Sequence, residues 1–476
     1  MLFNSAQFLL GFLPIVLIIY YTLPHRGQNA FLVMASCFFY ASWDWRFLVP
    51  LLFTTSLDYW VAGRMEAAVH AGQPLASRRK YLVVSVVANL SLLGFFKYFN
   101  FFSQSAVQLA HAMGLDIGLR TFEIVLPLAI SFYTFQALSY TIDVYRGELH
   151  ATKSFWDFFL AVLYFPHLIA GPIQRAATLL PQVTNPRRIS RMQVLEGLHL
   201  IGWGFFKKVF IADNLAPLVD AAFSNPTAAG GVTVLGVYAF TFQIYCDFSG
   251  YTDIARGVAK IMGFDFVLNF RLPYSATNPS EFWRRWHISL STWLRDYLYK
   301  PLGGNRDGPT KTNRNLLITM VLGGLWHGAA WNFVLWGLYH GILLVAHRVV
   351  EPALRPIGNR LDRLPWLWWL VRVAAMFMLT CYGWLLFRAT SLQQVLAMTA
   401  SLAQPWVGID WATMARITWI IAPLLLVQIV QARTGEMYFL KLAAIPPAVR
   451  VIACSAMLYL AVFLGGQPQS FVYFQF

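Results

Sequence analysis

Charged residues are scarce in this 476-residue chain. They make up 12% of the sequence, against about 25% in an ordinary soluble domain, and 58% of the residues are hydrophobic. A water-soluble enzyme is excluded, and the composition predicts an all-α, polytopic integral membrane protein. Cysteines are also few. The four of them lie far apart and form no CxxC pair, so neither a disulfide framework nor a metal site is predicted.

Long apolar windows follow one another along almost the whole chain. Several are shorter than the roughly 20 residues of a full span, so we expect about 11 to 13 membrane segments, some of them short or re-entrant. The first run, 8–23, has no basic n-region and no small-residue cleavage site, which indicates a retained span. No internal repeat or long linker interrupts the series. One membrane domain over 1–476 is therefore predicted.

The formal net charge is +15, but the basic residues are spread over short loops between apolar windows. They form no separate basic domain, so the predicted partners are anionic membrane lipids and an anionic cytoplasmic donor, and not nucleic acid. The first two basic clusters, at Arg26 and at 64–80, are separated by two apolar windows. The positive-inside rule assigns both to the cytoplasm, which predicts an extracytoplasmic N-terminus.

His327 is the most informative residue, because the stretch around it, 316–346, is nearly as apolar as a membrane helix. An ionisable side chain at membrane depth is a candidate functional residue. Arg314 is the last charge before it, so a continuous helix places the imidazole roughly 20 Å from that charge. A desolvated imidazole stays neutral, which suits a general base. A histidine hydrogen-bonded between packed helices fits this position equally well.

The longest polar stretch, 269–314, carries eight basic and three acidic residues, a net charge of +5. The sequence Asn278-Pro279-Ser280-Glu281 predicts a helix start with a capping box. Apolar and aromatic residues then recur at helical spacing from 283 to 298, which predicts one helix in a cytoplasmic interfacial region spanning 266–314. His287 falls on the inward stripe, as a functional residue or as part of an aromatic cluster.

Four residues of this stretch are candidate donor-binding residues. Arg284 and Arg285 fall on the opposite helix face, and Asn305 and Arg306 follow two glycines in a loop. Arginine pairs well with phosphate oxygens, and a glycine-rich backbone allows close approach to them. A simple turn at 302–306 is the alternative interpretation.

Further polar residues interrupt apolar segments elsewhere. His167 lies between two prolines at 165–172, a pattern typical of a broken or re-entrant helix. Asp247 and Asp253 lie at the end of an apolar window, where they either orient a histidine or pair with Arg256 or Lys260. Asn332 follows His327 by five positions and is a further supporting candidate. For His340, in the next apolar window, we favour a packing role.

Several long motifs carry a resemblance to a known family. They are Asp247-Phe248-Ser249-Gly250-Tyr251, the run 281–297 that contains Trp286-His287, Leu325-Trp326-His327-Gly328, and similar stretches at 132–147, 167–172 and 471–476. Together they resemble the membrane-bound O-acyltransferase (MBOAT) family, and in particular its bacterial alginate O-acetyltransferase branch.

The resemblance implies a multi-helix enzyme of the bacterial inner membrane with a central tunnel. It implies that His327 is catalytic and that His287 is a second functional residue. It also implies a cytoplasmic acyl thioester donor such as acetyl-CoA, no bound cofactor, and outward delivery of the acyl group for O-acetylation of a surface polysaccharide. An extracytoplasmic acetyltransferase partner is expected, because no segment between apolar windows is long enough for a polysaccharide-binding domain of roughly 50 residues outside the membrane.

Other functions stay open at this level. D-alanyl transfer to teichoic acid belongs to the same family, and acetylation of peptidoglycan or cellulose uses the same chemistry. A transporter that moves an acyl group without catalysing its transfer also fits polar residues at membrane depth. A scaffold role fits less well, because it requires no buried imidazole.

Overall fold

The computed structural model of the chain describes residues 3–5, 7–115, 124–168, 171–225, 227–361, 364–438 and 446–474. Within these ranges the chain is helical and contains no β-strand. The α-helices are α1 (Leu13–Thr22), α2 (His25–Asp44), α3 (Leu48–His70), α4 (Leu75–Leu93), α5 (Phe99–Ala112), α6 (Ile130–Arg146), α7 (Phe155–Leu163), α8 (Phe165–Leu168), α9 (Ala176–Thr184), α10 (Arg191–Phe205), α11 (Asp213–Ser224), α12 (Gly230–Ile261), α13 (Pro279–Arg285), α14 (Ile288–Leu294), α15 (Pro309–His327), α16 (Trp331–Leu361), α17 (Pro365–Arg388), α18 (Leu392–Ser401), α19 (Trp411–Thr434) and α20 (Pro447–Phe463).

Five helical segments are long and apolar enough to cross a membrane: Leu75–Ala112, Gly230–Ile261, Trp331–Leu354, Pro365–Arg388 and Trp411–Thr434. Two shorter apolar segments, Gln7–Thr22 and Pro447–Phe463, accompany them. The predicted all-α, polytopic membrane class is confirmed. Helix α12 differs from the other four spans, since 83% of its most apolar window is buried against 17–39% of theirs. It is therefore surrounded by protein, while the others keep faces free for lipid.

The chain divides into two compact units. The first comprises Met1–Gly197 and Ala255–Val267, and the second comprises Leu198–Ile254 and Leu268–Phe476. Within the first unit, α3, α4 and α6 pack against one another. Asp58 on α3 is buried there and accepts hydrogen bonds from Ser85 Oγ at 2.5 Å and Asn89 Nδ2 at 2.9 Å, both on α4. Hydrogen bonds at both carboxylate oxygens reduce the cost of burying this carboxyl group.

The predicted helix break near His167 lies in the first unit. Helix α7 ends at Leu163 and the four-residue α8 follows it, so the chain is broken here as expected; residues 169 and 170 lie outside the described residues. The imidazole Nε2 of His167 lies 3.2 Å from the Val162 carbonyl oxygen and 3.3 Å from Gln136 Oε1. Nε2 is thus paired beside the break, whereas Nδ1 has no hydrogen-bond partner among the described residues.

Helices α15 and α16 form an antiparallel hairpin in the second unit, and this hairpin positions His327. Two glycines bring the helices together: a Cβ atom on Gly324 would lie 2.2 Å from the Phe333 carbonyl oxygen, and one on Gly337 would lie 2.4 Å from the Met320 carbonyl oxygen. Small residues allow this kind of close approach between membrane helices. Helix α16 also packs against α17 and α13, so the hairpin is held on several sides.

Candidate active site

The chain breaks at His287 between α13 and α14. The sequence predicted one continuous helix from 279 to 298, and this was wrong: α13 ends at Arg285 and α14 begins at Ile288. His287 lies in the left-handed region with φ 42° and ψ 54°, where a non-glycine residue is uncommon and strain concentrates at functional sites. A periodicity of side chains does not reveal such a break, since both helix pieces keep their apolar faces inward.

Asn269 holds the break in place from outside the two helices. Its carbonyl oxygen accepts a hydrogen bond from the Ile288 N–H at 2.9 Å, and its Oδ1 accepts one from Ser289 Oγ, also at 2.9 Å. These bonds satisfy backbone and side-chain donors at the start of α14 that would otherwise be orphaned. They also fix the direction in which the backbone presents the His287 side chain.

The predicted start of α13 is confirmed, with one change in its capping. Asn278 caps the helix by accepting a hydrogen bond from the Glu281 N–H at 2.8 Å, and Pro279 occupies the first turn. Glu281 returns its carboxylate to the backbone N–H and hydroxyl of Thr277 at 2.7 Å each, one residue before the expected partner. It also pairs with Arg285, so this helix start is tied to the helix end.

His327 is the last residue of α15. Gly328 follows it and leaves room for an aromatic ring, because a Cβ atom there would lie 2.2 Å from the ring of Phe333. The helix continues without interruption from Pro309, which confirms the helical path between Arg314 and the imidazole. The histidine therefore lies at the turn of a membrane hairpin and not in the middle of a span.

The structure brings the two histidines together. The ring centroids of His287 and His327 are 6.3 Å apart, although 40 residues separate them in the sequence. His287 is 0% exposed and His327 is 6% exposed. Aromatic rings surround the pair with centroids 4.7–5.9 Å from one imidazole or the other; these are Phe248, Trp326, Trp336, Phe387 and Tyr473.

Burial controls the charge of His287. Removal from water penalises the imidazolium form and lowers the pKa of His287 to about 3. Neither ring nitrogen has a hydrogen-bond partner within the described ranges. Buried polar atoms are nearly always paired in folded proteins, so an unpaired imidazole beside a second imidazole is a candidate functional group.

An apolar cavity of about 210 Å³ reaches His327. Its wall includes Trp283, Leu294 and Met320 as well as the polar side chains of Arg295 and Tyr299. His287 is not part of this wall, so His327 is the imidazole that meets a molecule in the cavity. The size and the apolar lining suit a small acyl chain or a narrow organic linker.

Asp247 acts through ion pairing, the second of the two predicted roles, but with different cations. The expected partners were Arg256 and Lys260; instead Asp247 Oδ1 lies 2.7 Å from Lys208 Nζ, which also lies 2.7 Å from Asp213 Oδ1. Asp253 pairs likewise with Lys207 at 2.7 Å. Both lysines lie in the mostly apolar stretch 194–212. Because charged side chains in such a stretch usually pair with one another, their position could have indicated these ion pairs.

The segment 465–474 contacts these ion pairs. It also contributes one ring to the aromatic cage, the set of rings around the two imidazoles formed by Phe248, Trp326, Trp336, Phe387 and Tyr473. Lys208 Nζ donates to the carbonyl oxygen of Gln469 at 3.0 Å, and Asp247 Oδ2 accepts from the N–H of Val472 at 2.7 Å. The next residue, Tyr473, lies with its ring centroid 5.5 Å from that of His327. Sequence reasoning used 471–476 only as a family motif and did not place Tyr473 in the site.

The other predicted residues lie at varying distance from the imidazoles. Asn332 donates to the carbonyl oxygens of Phe387 at 3.3 Å and Ala389 at 2.8 Å, so it supports the Phe387 ring that packs against His327. His340 packs between Phe282 and Trp336, as predicted. The exposed pair Asn305 and Arg306 lies on the loop before α15, and Arg284 and Arg285 line a second cavity. The contacts of His167 described above are all within the first unit.

The loop 302–306 has the conformation of a turn. Gly303 and Gly304 have φ values of 108° and 58°, which glycine adopts without strain. The carbonyl oxygen of Gly304 accepts a hydrogen bond from Asn315 Nδ2 at 3.0 Å, which fastens the turn to α15. The turn interpretation is thus confirmed, while phosphate binding by this loop stays a prediction.

This fold and this site define an integral membrane protein that encloses a pair of buried imidazoles beside an apolar cavity. Residues 148–388 match the membrane-bound O-acyltransferase family. The chain belongs to this family, and the resemblance drawn from its motifs is confirmed.

Relatives with named activities cover most of the chain. It is 42% identical to the "Probable alginate O-acetylase" of Azotobacter vinelandii over 94% of this chain and 88% of the relative. It is 35% identical to the "Peptidoglycan O-acetyltransferase" of Helicobacter pylori over 88% of this chain and 82% of the relative. It is also 33% identical to the "Teichoic acid D-alanyltransferase" of Streptococcus thermophilus over 46% of this chain and 56% of the relative.

Proposed function

We propose that the protein transfers an acetyl group from a cytoplasmic thioester donor, acetyl-CoA or another acyl thioester, to an extracytoplasmic acceptor for O-acetylation of a cell-surface polysaccharide. The observation that carries the proposal is the 6.3 Å distance between the ring centroids of His287 and His327, beside an apolar cavity. Of the two histidines, only His327 lines this cavity. The names of the alginate and peptidoglycan relatives support acetyl transfer to a polysaccharide.

In the proposed reaction His327 is the general base. The acceptor hydroxyl gives its proton to the imidazole while its oxygen attacks the thioester carbonyl carbon. The carbon–sulfur bond then breaks, the ester forms, and the departing thiolate takes the proton from the His327 imidazolium, which returns the imidazole to its neutral form. His287 is neutral because it is buried, and it acts through His327, whose imidazole it positions, since it does not itself line the cavity. The apolar cavity excludes water, which would otherwise hydrolyse the thioester.

The donor is proposed to enter from the cytoplasmic side. Arg295 and Tyr299 line the cavity, and Asn305 and Arg306 are exposed on the following turn, so we assign donor phosphates to this edge. The net charge of +5 over 269–314 supports a cytoplasmic position for the stretch. Donor binding by Arg284 and Arg285 remains a prediction of the sequence pattern alone.

Product analysis with purified protein in lipid nanodiscs tests the transfer. With radiolabelled acetyl-CoA and an oligosaccharide acceptor, thiol release and label transfer are both expected to depend on His327. A D-alanyl thioester on a carrier protein provides the competing donor, since a teichoic acid D-alanyltransferase is also a relative. Use of that donor in place of acetyl-CoA would favour D-alanyl transfer, and label movement across vesicles that survives His327→Ala would favour a transporter.

Sidedness and partner need their own measurements. We propose an inner-membrane location with the N-terminus outside, and an extracytoplasmic acetyltransferase that passes the acetyl group to the polymer. Cysteines introduced at Arg79 and Arg306 are expected to react with impermeant labels only from the cytoplasm. Reaction from outside would overturn the topology. Acetylation of intact polysaccharide by the reconstituted protein alone would overturn the need for a partner.

A further inference from the structure

A second and larger cavity, of about 900 Å³, lies in the same unit as the histidine site. The segment 271–285 contributes its polar wall, with Arg271, Ser275, Arg284 and Arg285. Helices α17 and α19 contribute apolar side chains, among them Trp369, Phe377 and Ile429. A cavity with a cationic wall and an apolar wall fits a ligand that is anionic at one end and apolar at the other.

The arginines of the polar wall differ in their ion pairing. Arg285 is paired with Glu281 and donates to Ser275 Oγ at 2.8 Å, so it belongs to the folded frame of α13. The guanidinium groups of Arg271 and Arg284 make no ion pair with any residue of the described ranges, and both side chains are exposed. Two unpaired arginines facing one cavity favour a phosphate or another oxyanion, because guanidinium matches its geometry.

An aromatic wall separates this cavity from the imidazoles. The Tyr274 ring is stacked on Trp286 at 6.1 Å and 27°, and its hydroxyl donates to the Thr241 carbonyl oxygen at 2.5 Å. Trp286 in turn packs on Trp384 at 4.7 Å. Neither histidine lines the cavity. A molecule bound in this cavity therefore does not contact either imidazole.

The apolar walls belong to helices that face lipid. Only 39% of the most apolar window of α17 and 22% of that of α19 is buried, and Trp369 and Ile429 are each 50% exposed. A chain from the surrounding bilayer can therefore lie along these side chains without leaving an apolar environment. A soluble nucleotide-bearing thioester has no comparable apolar tail to fill this part of the cavity.

We infer that the cavity formed by 271–285, α17 and α19 is a binding site for an anionic glycerophospholipid. Its phosphate lies between Arg271 and Arg284, and its acyl chains lie along Trp369, Phe377 and Ile429. The bound lipid fills the space between α17 and α19 behind the Tyr274 wall, so it stabilises the frame that supports Trp384 and the cage around His327.

Lipid titration of the delipidated full-length protein tests the charge requirement. Phosphatidylglycerol is expected to bind and to raise the Tm. Phosphatidylcholine has the same phosphate, but the two arginines repel its choline cation, so it should bind more weakly and raise the Tm less. In the double variant Arg271→Gln/Arg284→Gln, the affinity for phosphatidylglycerol should fall by at least about 10-fold, since each substitution removes a charge-assisted contact between a guanidinium group and the lipid phosphate. The control Arg306→Gln/Lys311→Gln removes the same two charges outside the cavity and should keep the wild-type affinity. Equal losses in both double variants would overturn the assignment.

Two further measurements make the result independent of charge alone. Val373→Trp fills the apolar wall and leaves both arginines, so it should also weaken phosphatidylglycerol binding; unchanged affinity would contradict the tail position. A photoactivatable phosphatidylglycerol in nanodiscs should crosslink to peptides of α17 and α19. Crosslinks elsewhere, or displacement of the lipid by soluble coenzyme A or inorganic phosphate, would overturn a lipid occupant in favour of a soluble anion.

Discussion

The backbone N–H of Val472 donates a hydrogen bond of 2.7 Å to Oδ2 of Asp247, across 225 positions of sequence. The other carboxylate oxygen of Asp247 faces Lys208, whose Nζ also binds the Gln469 carbonyl oxygen. One buried ion pair therefore holds the segment 465–474 at two points. The Tyr473 ring follows directly and lies against His327. Asp247 is a positioning residue for the aromatic rings around His327.

Replacing Asp247 by Asn should loosen the segment 465–474 and reduce acyl transfer. The change leaves Lys208 with Asp213 as its carboxylate partner and weakens the bond to the Val472 N–H, a charge-assisted contact of roughly 1.5–3 kcal/mol. The same free energy corresponds to a rate roughly 10- to 100-fold lower, and we also expect faster proteolysis within 465–474. Asp220→Asn, which removes an exposed pair with Arg388, is the control. A slower rate without altered proteolysis would argue against positioning.

Deleting residues 470–476 should abolish transfer while the helices stay inserted. The deletion removes Phe471 and Tyr473, whose rings pack on Phe248 at 5.8 and 4.7 Å. Water can then enter the cage around His327. The assay is label transfer in nanodiscs, with Gln467→Ala, an exposed position of the same segment, as the control. Activity of the deletion variant near that of Gln467→Ala would show that the cage does not need these rings.

His327→Gln should lower transfer by roughly 10²- to 10⁴-fold, the usual contribution of a general base. Glutamine keeps most of the side-chain volume, so the packing against Trp336 and Phe387 is largely preserved. Transfer rate and Tm are measured together. The control His347→Gln changes a histidine that pairs with Glu351, remote from the cage in sequence and contacts. A normal rate in well-inserted His327→Gln protein would remove the proposed base.

Substitutions at His287 separate backbone strain from imidazole chemistry. The left-handed backbone conformation of His287 costs a residue other than glycine roughly 1–2 kcal/mol. His287→Gly is therefore expected to relieve this strain, and His287→Asn to tolerate the conformation better than His287→Ala. All three lose the imidazole and should lose most transfer activity. Tm values and transfer rates for the three variants give the two effects separately. Recovery of activity in the order of stability would mean that His287 serves only the backbone.

The low pKa of His287 predicts a pH dependence of stability with a definite sign. The unfolded chain takes up a proton near pH 6.5, whereas the folded protein does so only near pH 3. Stability from this group is therefore complete above about pH 6.5 and declines toward pH 3, by at most about 1.4 kcal/mol per pH unit. Between about pH 6.5 and 4 the unfolding free energy of His287→Asn should depend less on pH than that of the wild type. Parallel curves would contradict a buried neutral imidazole.

The sequence predicted most of what depends on composition and local pattern. Apolar windows predicted the membrane helices, and Asn278 with Pro279 predicted the start of α13. His327 stood out because a polar side chain in an apolar stretch is costly and therefore informative. These features need only neighbouring residues for their physical explanation.

What the sequence did not predict depends on contacts between distant residues. The break at His287 is fixed by Asn269, and the pairing of Asp247 is decided by Lys208 on another helix. The sequence assigned both imidazoles to one enzyme through the family resemblance but expected them at different depths, because the 6.3 Å distance between their rings arises only when α14 meets the α15 hairpin. Periodicity along one helix carries no information about such meetings.

The segment 465–474 follows α20, so its part of the site is synthesised after the two histidines. Asp247, His287 and His327 enter the membrane with helices that leave the ribosome first, and the rings of Phe471 and Tyr473 arrive only after α20. Until then the rings around His327 lack those of Phe471 and Tyr473, so the imidazole stays open on that side. Synthesis of these two residues therefore completes the enclosure of His327.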